Sequence, residues 1–60
     1  MPETPVLNIL IVDDEDIVHD TLSGFIREFG HTSDSAFDGT TAIQMIENQA
    51  FDLALVKSYF

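Results

Sequence analysis

Four consecutive acidic residues, Asp13 to Asp16, directly follow an apolar run and are the residues of this chain best suited to chemistry. Two adjacent carboxylates repel each other unless a cation, a proton or a basic side chain compensates for their charge. A hard divalent cation such as Mg²⁺ favours one or two carboxylates together with water and phosphate oxygens, so Asp13 and Asp14 are candidate ligands. The alternative is a solvated acidic patch at the start of a helix, where the helix dipole favours negative charge. The residues alone leave both interpretations open.

Other site patterns fit the same residues less well. The run Asp14-Glu15-Asp16-Ile17 resembles the D-x-D-x-[TV] motif of haloacid-dehalogenase-like phosphatases, in which the first aspartate is a nucleophile and the second a general acid/base. The isoleucine at its last position and the short chain argue against that enzyme class. An EF-hand loop fails, because the glycine and terminal glutamate that it requires are missing. His19 stands beside Asp20, but the apolar stripe around it predicts an exposed helix histidine rather than a phosphoacceptor.

The overall composition excludes several classes of function. The chain has 60 residues, 11 Asp+Glu, 2 Lys+Arg, no Cys and a formal charge of −9. This length allows one small domain. Two cations cannot form the basic patch that nucleic acids or anionic membrane surfaces require. We find neither an apolar run of membrane-spanning length nor a signal-peptide pattern, and we therefore expect a cytoplasmic protein.

Hydrophobic periodicity predicts a strand and a helix in the first half of the chain. Asn8–Val12 is a continuous aliphatic run typical of a strand that is covered on both faces. From Ile17 to Phe29 the apolar residues recur with helical spacing and form one stripe. Gly30 follows the last of them, where a left-handed residue commonly ends a helix.

The second half repeats this alternation with weaker signals. Residues His31 to Phe37 are mostly polar and predict an edge strand. Asp38-Gly39 indicates a turn, and Thr41 begins a capping-box pattern that opens a helix ending near Asn48. Leu53–Val56 predicts a third, short and apolar strand.

Alternating strands and helices predict an α/β fold with right-handed crossovers and a parallel sheet. With the polar second strand at an edge, the expected strand order is 2-1-3, with one helix on each face. In open sheets of this kind ligands bind beyond the carboxyl ends of the strands, beside the point where the strand order reverses. That point lies between strands one and three, next to Asp13, Asp14 and Lys57.

Four segments, taken together, resemble the first half of the receiver domain of bacterial two-component response regulators. Their order and spacing all match, and the resemblance extends from about Asn8 to Val56. The segments are Asn8-Ile9-Leu10-Ile11-Val12-Asp13-Asp14-Glu15, Phe29-Gly30, Phe37-Asp38-Gly39 before Thr41-Ala42, and Phe51-Asp52-Leu53-Ala54-Leu55-Val56.

The resemblance implies a flavodoxin-like doubly wound fold that accepts a phosphoryl group from a histidine kinase on an aspartate at the end of strand three. It also implies that Asp13 and Asp14 hold Mg²⁺, together with the main-chain carbonyl of Tyr59. In such chemistry the cation neutralises charge on the transferred group. A histidine kinase of the parent system is the implied partner.

One departure from the family pattern changes the expected chemistry. Lys57 stands where receivers carry the phosphoacceptor aspartate. An ammonium group cannot form an acyl phosphate, so we expect no aspartyl phosphorylation and no enzymatic activity. We predict a salt bridge from Lys57 to Asp13 and Asp14 and weak or absent Mg²⁺ binding, against the alternative that Lys57 extends into solvent. A phosphoryl-transfer or Mg²⁺-dependent phosphatase-like module using Asp14 is the alternative function.

The sequence also predicts how the chain is organised. We expect residues 1–7 to be a disordered lead-in and residues 8–60 to form a partial, truncated receiver domain, since the family's later strands have no counterpart. The strand Leu53–Val56 would then be an apolar edge, and such an edge recruits another strand. A homodimer, edge-paired or strand-exchanged, is the expected result. The predicted function is protein–protein interaction.

Overall fold

One parallel sheet of three strands organises the computed structural model of the chain, which describes residues 5–57. The strand order is β2-β1-β3, and β1 pairs in parallel with both neighbours. The predicted α/β fold class, element order and strand order are therefore confirmed. The elements are β1 (Asn8–Val12), α1 (Asp16–Glu28), β2 (Thr32–Ala36), α2 (Gly39–Asn48) and β3 (Leu53–Val56).

The register of the sheet brings the ends of all three strands to one edge. Val12 lies opposite both Ala36 and Val56. Beyond these pairs, the Asp13 amide donates to the Ala36 carbonyl at 3.1 Å, and the Lys57 amide donates to the Val12 carbonyl at 3.0 Å. The backbone ladder thus continues one residue past the strands and fixes where Asp13 and Lys57 leave the sheet.

The core lies on both sides of β1, which explains why that strand is apolar from Ile9 to Val12. Leu10 and Ile11 are fully buried and point to opposite faces, because side chains alternate along a strand. On one face, the core groups Ile9 and Ile11 with Ile26, Leu7 and Leu22. On the other face, it groups Leu10 with Ala36, Ala42, Val12, Met45 and Phe51.

Helix α1 buries only part of its apolar stripe. Ile26 is buried as expected, but Ile17, Phe25 and Phe29 are 68%, 56% and 75% exposed. The helix packs against β2 and places Ile26 against Ile9 and Ile11, and the described residues leave the other three side chains largely uncovered. None of the helices within residues 5–57 is long and apolar enough to cross a membrane.

The turn between α1 and β2 follows the sequence signal. Gly30 has a φ of 88°, the left-handed conformation that glycine adopts without strain. Its amide donates to Arg27, and the next amide, of His31, donates to Ile26, which satisfies carbonyls at the helix end. The His31 ring then accepts a hydrogen bond from the Leu7 amide at its Nδ1, 3.0 Å away. This contact ties the helix end to the start of β1.

The N-terminus of α2 corrects one prediction. Thr41 is not the capping residue; Asp38 is, and its carboxylate accepts from the Thr41 amide at 2.7 Å. The helix therefore begins at Gly39, earlier than the capping-box pattern indicated. An aspartate is favoured here because it supplies an acceptor for an unpaired amide and also a negative charge at the positive end of the helix dipole.

Substitution of Asp38 should reveal this cap as a pH-dependent contribution to stability. Hydrogen bonds from the Thr41 amide, and then from its hydroxyl, hold the pKa of Asp38 below its ordinary value of 3.8. Because the folded-state pKa is the lower one, the contribution is complete above the unfolded pKa and is lost as pH falls through the folded pKa. Asp38→Ala should lower the thermal midpoint at neutral pH, and this difference should shrink below about pH 4. Asp20→Ala, an exposed change of the same charge, serves as the control; equal effects of the two would contradict the cap.

Candidate functional site

The acidic loop, residues Asp13 to Asp16, lies at the carboxyl edge of the sheet between β1 and α1. Asp13 is 8% exposed, whereas Asp14 and Glu15 are exposed. Each of these three residues offers one carboxylate oxygen, and the three oxygens lie within 4.8 Å of one another. Three like charges this close require a compensating positive charge.

Hydrogen bonds from two elements hold Asp13 in a fixed position. Its Oδ1 accepts from the Glu15 amide at 2.9 Å, a local turn that fixes the start of α1. Its main-chain carbonyl lies 2.8 Å from Nε2 of His19, one turn into α1. A carbonyl can only accept, so the histidine carries its proton on Nε2 in this contact.

His19 is the site residue that sequence reasoning missed. We predicted an exposed histidine, but its side chain is 5% exposed and its ring lies 4.3 Å from the Phe37 ring, centroid to centroid. The prediction was wrong because it counted only apolar residues in the buried face of α1. His19 directly follows Val18, in the first turn of α1, and so lies close enough to reach back to Asp13. Its Nδ1 is buried and has no hydrogen-bond partner among residues 5–57.

Lys57 places its ammonium group against the acidic loop. Its Nζ lies 3.2 Å from Oδ1 of Asp14 and 3.0 Å from Oε1 of Glu15. The predicted salt bridge to Asp14 is therefore present, while Glu15 takes the place that we assigned to Asp13. Asp13 is buried and bonded to backbone, whereas Glu15 has a longer side chain and faces outward.

The energy of these ion pairs is limited by their exposure. The Lys57 side chain is 30% exposed, and those of Asp14 and Glu15 are 60% and 57% exposed. Exposed ion pairs contribute about 0–1 kcal/mol each, because water screens them and ordering long side chains costs entropy. The pairs therefore set the local charge and shape of the loop more than they stabilise the fold.

An open cleft of ≈ 270 Å³ lies beside the acidic loop, between the ends of β1 and β3 and the start of α2. Its lining includes Asp13, Asp14, Asp38 and Lys57. It occupies the place where the sequence predicted a site, beyond the carboxyl ends of the strands. The cleft could admit a small polar group next to the ion pairs.

The donor set does not fit the Mg²⁺ site that the resemblance implies. Mg²⁺ requires near-octahedral oxygen ligands at about 2.0–2.1 Å. The end of β3 carries the ammonium of Lys57 instead of a further carboxylate, and this ammonium already contacts two of the three clustered acids. The Tyr59 carbonyl, the third predicted ligand, lies outside the described residues.

Comparison with known proteins finds one relative with significant similarity. Regulatory protein VanRc of Enterococcus gallinarum is 40% identical to this chain over 48 residues, which are 80% of the chain and 21% of that protein. The chain thus spans about a fifth of the length of the curated relative that it matches. No protein-family model matches the chain. No solved structure matches it either.

Removing the His19 hydrogen bond should destabilise the acidic loop. His19→Phe keeps a ring against Phe37 but leaves the Asp13 carbonyl without its donor. An unsatisfied buried acceptor costs about 1–3 kcal/mol, and loss of the unpartnered Nδ1 offsets part of that cost. We expect the free energy of unfolding in urea to fall by about 1 kcal/mol. An unchanged or higher stability would mean that the hydrogen bond is not formed in solution.

Proposed function

The chain belongs to the receiver domains of response regulators, and we propose that it acts as a signalling module that binds other proteins without accepting a phosphoryl group at the end of β3. The observation that supports the proposal is Lys57, which directly follows β3, where the resemblance to receiver domains implies the phosphoacceptor aspartate. An ammonium group has no lone pair with which to attack phosphorus and cannot form an acyl phosphate. Such a module would act through the binding of other proteins to its surface.

The alternative, phosphoryl transfer to Asp14, is less favoured by the geometry. Its Oδ1 lies 3.2 Å from the Lys57 ammonium, so this carboxylate is engaged in an ion pair. In the alternative reaction a carboxylate oxygen of Asp14 would attack the phosphorus of a small donor such as acetyl phosphate and release acetate. The product would be an aspartyl phosphate on Asp14.

We also propose that a second copy of the chain binds at β3. All four residues of β3 are exposed, and they are apolar on both faces. One edge of β3 pairs with β1, while the other edge pairs with no strand among residues 5–57. An exposed apolar edge recruits a further strand, and antiparallel pairing of two β3 strands would close the assembly by a two-fold axis. The charge of −9 on each copy opposes this association, most strongly at low salt.

Incubation with acetyl phosphate and Mg²⁺, followed by intact mass measurement, tests the phosphoryl proposal. We expect no phosphoryl adduct on the chain. An adduct that disappears in Asp14→Asn but persists in Asp16→Asn would overturn the proposal in favour of the Asp14 alternative. Asp16 is the matched control because it belongs to the same acidic loop but is not among the acids that contact Lys57.

Light scattering over a range of concentrations tests the dimer. We expect a mass that rises towards two copies with concentration, and more readily at high salt because the repulsion is screened. Val56→Lys should reduce association, whereas Ile43→Lys should not. The two residues are 62% and 61% exposed, so the variants differ in location rather than in burial. A monomer at all concentrations, or equal association of both variants, would contradict the proposal.

A further inference from the structure

The acidic loop already has a positive charge from the chain itself, the Lys57 ammonium, in contact with two of its carboxylates. Each of the three clustered carboxylates has an oxygen in use within the chain. Oδ1 of Asp13 accepts from the Glu15 amide, while Oδ1 of Asp14 and Oε1 of Glu15 contact the Lys57 ammonium. A divalent cation entering here would have to approach a fixed positive charge and compete with it for Asp14 and Glu15.

A backbone hydrogen bond fixes the position from which the Lys57 side chain extends towards the acidic loop. The Lys57 amide donates to the Val12 carbonyl at 3.0 Å and so continues the ladder between β3 and β1. The side chain therefore starts from a fixed point next to the loop, and it is 30% exposed. An ammonium with three donors can bind two carboxylates at once, as observed here.

We infer that the Lys57 ammonium replaces the divalent cation in this chain and holds the acidic loop in a cation-independent state. The residues of the loop do not fit Mg²⁺ because the chain supplies a counter-ion of its own, the Lys57 ammonium. Glu15 becomes part of this arrangement because it is the second carboxylate that Lys57 contacts.

Removal of the lysine charge should therefore expose a divalent-cation site. In Lys57→Gln, Asp14 and Glu15 lose their ammonium, and the three carboxylates must be neutralised from solution. We expect this variant to bind Mg²⁺ at least about tenfold more tightly than the unmodified chain, since one unit of charge nearby has been removed. Titration with MgCl₂ at constant ionic strength, followed by backbone amide NMR, gives the dissociation constants and locates the shifts.

Arg27→Gln is the matched control. It removes the other cationic residue and changes the net charge of −9 by the same single unit, but Arg27 lies in the last turn of α1, at the opposite end of that helix from the loop. If only the overall charge mattered, both variants would gain affinity equally. We expect a gain in Lys57→Gln alone, with shifts confined to residues 13–16, and Lys57→Arg should remain a weak binder.

Two results would overturn the inference. One is equal Mg²⁺ affinity of the unmodified chain and Lys57→Gln; the other is an equal gain in Lys57→Gln and Arg27→Gln. Circular dichroism establishes that each variant is folded. Should Lys57→Gln fail to fold, Mn²⁺ added to the unmodified chain decides the matter: selective broadening of the amides of residues 13–16 at micromolar Mn²⁺ overturns the inference, and no selective broadening supports it.

Discussion

The parallel pairing of β1 with β3 is the constraint on which the candidate site depends. Residues 13–15 and residue 57 are far apart in the chain, and only this ladder brings them to the same edge of the sheet. The pairing requires β1 to be the central strand. Leu10 and Ile11, two buried residues of β1, hold it there because each of them packs in the core on one face of the sheet. The charge arrangement is thus a consequence of sheet order rather than of local sequence.

The fold was largely predictable because its signals are local. Each apolar run has the period of the element that it forms, and Gly30 marks the end of α1 in the conformation that only glycine adopts easily. The strand order followed from one polar strand, β2, which could only lie at an edge. The boundary error at α2 arose because two residues, Asp38 and Thr41, both carry capping side chains, and sequence spacing does not decide which of them caps the helix.

The site was predictable in its location but less so in its contacts. Strand order placed Lys57 near Asp13 and Asp14, the resemblance to receiver domains led to the predicted salt bridge, and the side chains of Lys57 and Asp14 do meet. Glu15 was not assigned, since side-chain length and the burial of Asp13 decide which acid reaches the ammonium. His19 was missed because its role rests on a hydrogen bond to the main-chain carbonyl of Asp13. The pattern of residue types in a sequence does not indicate a contact of this kind. Such contacts appear only when the backbone is folded.

The attachment of β3 has a consequence for the electrostatic field at this end of the molecule. Within the described residues, both buried core clusters are built without any residue of β3, so this strand is held chiefly by its ladder to β1. Strands with few buried contacts are the first to open in local unfolding. When β3 detaches, Lys57 leaves with it, and the acidic loop regains its full negative charge. The electrostatic potential at the carboxyl edge of the sheet therefore depends on whether β3 is paired with β1. A charged molecule near this edge would experience a more negative potential when β3 is detached.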